Sequence, residues 1–327
     1  MKWLLTFISV IFLPCFSISQ VLWQNVDVAY GPLPSSVHVY FTDSHLDTAV
    51  FRAYYLVADL TDRHLDFTTD TTYKRRYTPF EFYKKNEKPL AVVNAVFFSF
   101  DKNKSLNLVI KDGKFLAYNS ASLKNKGIDS ALKWIPFRSA LGITKHRKAD
   151  MAWTYTDSSL RFARASEIVV APRNAPAVCC ELSQFTLQKS NNEERKWYMT
   201  TFKKWKVQTA VGGGPMLLQN GDIFITNEQE RMFMGKGLYD KHPRTAIGYT
   251  RDGKLIILVV EGRSESGGGA SLVQEAQLLK DLGCIEAMNL DGGGSSCLLI
   301  NGKETIKPSD KEGERPVPAV FMIKARQ

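Results

Sequence analysis

The chain has 327 residues, 44% of them hydrophobic, with no internal repeat, low-complexity run or Pro/Ser-rich linker, so a substantial core is expected. Its 43 Lys/Arg against 33 Asp/Glu give a formal charge of +10, yet no nucleic-acid-binding module accompanies the surplus, and nucleic acid is set aside as a partner. Five cysteines are too few for a disulfide scaffold, and without Cys-x-x-Cys or His-x-x-x-His spacing there is no zinc motif.

Residues 1–19 read as a signal peptide. Lys2 supplies the positive end, Trp3 to Phe16 are mostly apolar, and Ser17 and Ser19 suit cleavage before Gln20. Pro14 breaks the stretch and argues against an anchor. It also stands where a small residue should precede a lipid-modified Cys15, leaving lipoprotein attachment as the minor alternative. No later stretch approaches ~20 apolar residues. The expectation is an exported protein (periplasmic, cell-surface or extracellular) with one domain over 20–327 and no further membrane span.

Residues 90–98 form an apolar strand interrupted by one polar residue, Asn94. Asp112-Gly113 and Asp252-Gly253 sit between apolar runs and predict hairpins, the second joining Thr245–Tyr249 to Leu255–Val260. Asn220-Gly221 and Asn301-Gly302 mark two more turns. Residues 101–148, which include the Asp112-Gly113 turn, carry eleven Lys/Arg against three Asp, a basic face open to anionic polymers or a phosphorylated substrate. A helix is predicted over 271–282, with Ser271 and Gln274 as a capping box and Gly283 ending it. The fold class that follows is α+β: a single domain with a twisted, largely antiparallel mixed sheet and packed helices. Among the cysteines, adjacent Cys179 and Cys180 are poorly placed to bond each other, and Cys284–Cys297 is the local candidate bridge.

The helix leads through the strand Ile285–Leu290 into Asp291-Gly292-Gly293-Gly294-Ser295-Ser296, and a second strand, Cys297–Ile300, follows. A nucleotide phosphate loop needs a helix directly behind its glycines, and this loop has a strand there. The P-loop and Rossmann readings therefore fail. Ser295 lacks the Gly-x-Ser-x-Gly context of a nucleophilic serine.

Other candidate residues cluster elsewhere. Gly212-Gly213-Gly214-Pro215 precedes an apolar run, and a glycine run also suits a bulge or corner. The second hairpin brings His242, Arg244, Glu261 and Arg263 to one open end, where each is also acceptable as a surface charge or a structural ion-pair member. Asn94 in an apolar strand is either a satisfied core amide or a site residue.

This ordered set resembles the phosphodiester glycosidase family, which includes the mammalian mannose 6-phosphate uncovering enzyme. The resemblance rests on Val93-Asn94-Ala95 with Phe97-Phe98, then Gly212–Leu218, His242–Gly248, Glu261-Gly262-Arg263, Ala287–Ser296, and Pro308-Ser309 with Glu314-Arg315. It is dense over 205–325. Glu261 stands where Asp is also common, and Lys307 where Asn is expected before Pro308.

The resemblance implies hydrolysis of sugar-1-phosphodiester bonds in envelope glycopolymers or host glycans, releasing a sugar and a phosphomonoester, with no cofactor. Phosphate departs as a weakly basic anion, so cations and N–H donors matter more than a general acid. The implied catalytic residues are Asp291, Glu261 and His242, with Asp291 the first choice and Glu261 the second as nucleophile or base. The implied substrate-binding residues are Asn94, Gly213, Gly214, Arg244, Thr245, Arg263, Asn289, Gly292, Gly293, Gly294, Ser295 and Ser296, with the glycine-loop amides holding the ligand. Two alternatives stay open: a non-catalytic envelope module that binds phosphorylated glycans, and a phosphodiesterase using a divalent metal held by Asp291 and Glu261.

Overall fold

The Asp252-Gly253 turn folds Arg244–Thr250 onto Lys254–Val260, and this antiparallel pair is the centre of the largest sheet. The computed structural model describes residues 21–47, 49–120, 123–124, 132–135, 137–170, 173–176 and 192–326. The leader, Cys179, Cys180 and part of the basic run 101–148 lie outside the described residues.

The eight-stranded sheet runs in the order Gln24–Asn25, Val37–Thr42, Ala53–Asp59, Lys254–Val260, Arg244–Thr250, Cys284–Asn289, Met216–Gln219, Asp222–Ile223. A five-stranded sheet places Ala91–Asn94 between Leu298–Ile300 and Ala319–Ala325. A seven-stranded sheet carries the Asp112-Gly113 hairpin at one edge and sets Thr209–Gly212 beside Arg138–Ile143. Every pairing in these sheets is antiparallel.

One apolar cluster unites all three sheets through Ile257 and Val259, Val93 and Phe321, and Leu141 and Trp153. On the other face of the largest sheet, Ile256, Leu258 and Val260 pack against Leu272, Ala276 and Leu279 of the helix Leu272–Asp281. Residues 255–260 thus alternate between two buried faces, which is why they read as one unbroken apolar run.

Ser271 caps that helix with Gln274 as expected, and Gly283 follows it at φ +83°. A second capping box, Thr78 with Glu81, starts the helix Pro79–Lys85, which the apolar pattern alone did not reveal. Two expectations change. The strands pair antiparallel as expected but fall into several sheets with few helices rather than one mixed sheet, and the strand expected over 90–98 leaves its ladder after Asn94, Phe98–Ser99 pairing instead with Lys104–Ser105.

The bridge Cys284–Cys297 is absent. Both thiols are free and buried, and they sit in separate apolar clusters. The strand Cys284–Asn289 accounts for this, because its rise holds Cys284 about 17 Å from the glycine loop. Burial pushes the Cys284 thiol up to about 12. Among the described residues no helix is long and apolar enough to cross a membrane.

Candidate active site

The strand Cys284–Asn289 delivers Asp291 to a point where two sheets meet. Leu290 N donates to Thr245 O (2.7 Å) in the eight-stranded sheet, and Asp291 N donates to Ala95 O (2.9 Å) just past the end of Ala91–Asn94. Gly293–Ser295 then make one tight turn. Ser295 N and Ser296 N each donate back into it at 3.2 Å, and Gly293 N donates to Pro243 O at 2.8 Å. The Gly292 amide bonds the Asp291 carboxylate.

The Gly292, Gly293, Ser295 and Ser296 amides are thus bonded within the protein. The glycines serve close packing. A Cβ on Gly292 would lie 2.9 Å from Pro243 O, and one on Gly294 would overlap Arg315 Nη2 and Asp310 Oδ1.

Asp291 is half-buried as a residue, but its Oδ2 is buried with no hydrogen-bond partner among the described residues. Burial lifts its carboxyl to about 7, against the opposing pull of the Ser295 hydroxyl, the Arg315 charge and the Gly292 amide. Asn289 Oδ1, Ser296 Oγ and Ser309 Oγ are likewise buried and unpartnered. Buried polar atoms are nearly always satisfied, so this concentration makes the loop and its surroundings the candidate site.

Two arginines contact the turn that follows Asp291. Arg315 binds Asp310 through Nε and Nη2 at 2.7 and 2.8 Å and directs Nη1 to Ser295 Oγ at 3.5 Å. On the other side, exposed Arg263 lies over Gly293, where a Cβ would come 3.2 Å from its Nη2. That same Nη2 is 3.5 Å from His242 Nδ1. Guanidinium only donates, so Nδ1 accepts and the ring proton sits on Nε2. Burial, then the charges of Arg244 and Arg263, hold His242 below its usual range, which keeps the imidazole neutral at pH 7.

The remaining residues singled out in the sequence support this group from behind. Asn94 is a satisfied core amide: Nδ2 donates to Asp291 O (2.5 Å), while Oδ1 accepts from Thr245 Oγ1 and Cys297 N at 3.0 Å each. Arg244 is 3% exposed and fixes Ala270 O and Asp240 O at 2.9 Å each. Glu261 is 2% exposed. It accepts from Ser264, Ser266 and the Lys307 amide (3.1, 2.6 and 3.1 Å), with Arg52 at 3.8 Å.

Gly213 N and Gly214 N donate to Ser139 O and Asn289 O at 3.0 and 2.8 Å. Asn289 Nδ2 returns a 2.8 Å bond to Gly214 O. Glu230, absent from the sequence reading, fixes this second glycine loop: its carboxylate accepts from Trp153, Met216, Thr226 and Ser139. Nothing in its local sequence signals that burial. Asp310, Arg315 and Ser309 were also unassigned there, although the Pro308-Ser309 and Glu314-Arg315 pairs pointed to the segment.

Among the described residues no three His, Cys, Asp or Glu converge as a metal-ligating group. Clefts of about 640 and 630 Å³ lie elsewhere, one beside Pro32 and Asn301, the other beside Tyr40 and Arg251. Neither includes a glycine-loop residue.

Antiparallel sheets here carry a carboxyl raised by burial on a glycine turn that Arg315 and Arg263 both contact, and these features define a β protein with a candidate polar site. Residues 87–324 match the family model described as phosphodiester glycosidase, and the chain belongs to that family. Over 108 residues it is 33% identical to the N-acetylglucosamine-1-phosphodiester alpha-N-acetylglucosaminidase of Mus musculus, a match covering 31% of this chain and 21% of that protein. Over 70 residues it is 46% identical to the SPbeta prophage-derived uncharacterized protein YomE of Bacillus subtilis (strain 168), covering 21% of this chain and 11% of that one. The matched stretch is therefore a small part of each relative's length.

Among solved structures, a hypothetical protein from Synechocystis is similar with a TM-score of 0.63 and 15% identity, over 94% of this chain and 64% of that one. The zebrafish N-acetylglucosamine-1-phosphodiester alpha-N-acetylglucosaminidase catalytic domain, auto-inhibited by its pro-peptide, is similar with a TM-score of 0.58 and 19% identity, over 93% and 88%. These likenesses establish the fold.

Proposed function

We propose that this chain is an exported hydrolase of sugar-1-phosphodiester bonds. The observation that carries the reading is Asp291: a carboxyl raised by burial to about 7, with one oxygen unpartnered among the described residues, beside Arg315 and on the turn that Arg263 overlies. The family match supports the reaction class.

The phosphate lies against Arg263 and the Nε2–H of neutral His242. It leaves as an anion stabilised by the guanidinium, with no general acid required. Ionised Asp291 faces the anomeric carbon, where positive charge develops. The sugar hydroxyls meet Ser296, Ser309 and the Asp310–Arg315 pair on the opposite side. Glu261 holds the rim by tying Ser264, Ser266 and Lys307 together beneath Arg263.

The decisive test is incubation with α- and β-linked N-acetylglucosamine-1-phosphodiesters, following the released sugar by NMR. Net retention of the anomer makes Asp291 a nucleophile, and inversion makes it a base toward water. Binding without cleavage after long incubation would favour a glycan-binding module instead. Export is tested separately, by sequencing the N-terminus of protein recovered outside the cytoplasm for a start at Gln20.

A further inference from the structure

Beyond Arg315 the site continues onto a flank in which Phe98 alone belongs to the motifs that carry the resemblance. Tyr77 and Val317 exchange backbone hydrogen bonds of 3.0 and 2.7 Å, and Thr72 N donates to Pro318 O at 2.9 Å. Residues 72–77 therefore run alongside the segment that follows Arg315. The hairpin Phe98–Ser99 with Lys104–Ser105 reaches the same place.

There the Phe98 and Phe100 rings lie 4.7 Å apart. The Arg76 guanidinium is 5.4 and 5.0 Å from their centroids, and that of Arg315 is 5.4 Å from Phe100. Contact runs unbroken from Asp291 through Ser295 and Arg315 to Phe100 and Arg76. Phe100 nevertheless remains 56% exposed.

The charge of residues 72–77 and 98–105 is one-sided, while the segment around Arg315 brings Asp310, which pairs with Arg315, together with Glu312 and Glu314. Lys74, Arg75, Arg76, Lys102 and Lys104 face a single carboxylate, Asp101, in these two stretches. Among the described residues none of the five forms an ion pair. Cations gathered this way repel one another and raise the local concentration of anions. Arg76, stacked on its rings and free of a carboxylate, keeps its donor fork for a phosphate. A single diester at Asp291 would leave this flank unanswered.

We infer that the site takes a glycan carrying several phosphodiesters along its length, with a neighbouring phosphate of the same chain held against Arg76 and Phe100. The inference rests on the sugar-phosphodiester reading and narrows it to a polyanionic substrate.

The test is calorimetric binding to full-length Asp291→Asn protein. The probes are a single N-acetylglucosamine-1-phosphodiester and a short oligomer of N-acetylglucosamine 1-phosphate repeats. In low salt the oligomer is expected to bind at least about tenfold more tightly than the single diester. That advantage is expected to fall below about threefold in roughly 0.5 M salt, where charges a few ångströms apart are screened. Adding Arg76→Gln should erase it in low salt as well.

Equal affinity for both probes would overturn the inference, as would an advantage that survives salt. So would equally tight binding of single-stranded DNA of matched charge, which would make the flank a general polyanion surface. The salt series needs no second substitution, so it decides the matter even if Arg76→Gln fails to fold. Turnover by the unsubstituted protein separates the two claims. Cleavage of the single diester without oligomer preference removes this inference and keeps the glycosidase reading. Tight, salt-sensitive oligomer binding without cleavage of either probe does the reverse.

Discussion

Gly294 and Arg315 share one volume: a side chain on Gly294 would overlap Arg315 Nη2 and the Asp310 oxygen bonded to it. The guanidinium rests directly on the turn, which puts it within 3.5 Å of Ser295 Oγ and brings its charge to bear on Asp291. The loop's glycines are thus explained by what lies against them, and each contact can be tested.

Gly294→Ala should unseat the Arg315–Asp310 pair from the turn while leaving the sheets intact. A displacement of about 1 Å at a site of this kind costs about 100-fold in rate. Steady-state kinetics on a cognate diester should show that loss, with a native-like thermal melt. Full activity would mean that the seat of Arg315 is irrelevant to turnover.

Asp291→Asn should lower kcat by about 10²–10⁴-fold, the range for losing a positioned acid–base group. It should also stabilise the protein in mild alkali, and the sign follows from the raised carboxyl. The folded state favours the neutral form, so stability is fully present below the ordinary 3.8 and is lost as pH rises through about 7. The amide carries no such charge, so the variant should melt higher than the parent near pH 8 and about equally near pH 4. An inactive variant that also melts lower at both pH values would point to misfolding instead.

Arg315→Gln tests the electrostatics separately. If ionised Asp291 is the working form, kcat/KM rises along an acid limb near pH 7. Arg315 lowers the Asp291 carboxyl, so removing its charge should move that limb to higher pH. Ser295→Ala should shift it the same way, because the Ser295 hydroxyl also favours the ionised form. A pH–rate profile unchanged in both variants would assign the limb to another group.

Some of this was legible in the sequence because its causes are local. The Asp-Gly and Asn-Gly turns, the alternation in Lys254–Val260 and the Ser271 capping box each depend on a few adjacent residues. Sheet membership is not local. Ala91–Asn94 pairs with strands about 200 residues away, and nothing within it names them. The site divides the same way. The ends of one hairpin correctly brought His242 and Arg263 together. Arg244 and Glu261 lie at the same end of that hairpin, and Asn94 meets it through Thr245. Their partners, such as Cys297 N, Ser266 and Ala270 O, come from other segments and turn them into supports. Glu230 had no signal, since a glutamate in a polar stretch ordinarily faces water.

Glu275 offers a test away from the loop. It lies on the buried face of the helix Leu272–Asp281 at 0% exposure, with neither carboxyl oxygen partnered among the described residues. Burial pushes its carboxyl up to about 8, and only the charge of Arg244 opposes this. The neutral form is again the one the fold prefers. Stability is whole below the ordinary 4.5 and declines as pH rises through about 8. Across that window the decline approaches about 1.4 kcal/mol per pH unit. Glu275→Gln removes the ionisation while nearly preserving shape, and Arg244 keeps its bonds to Ala270 O and Asp240 O. The variant should therefore melt close to the parent near pH 5 and clearly above it near pH 8.5. A gap between the two melting curves that stays constant with pH would show that Glu275 finds a partner in solution and that Arg244 is buried beside a settled charge.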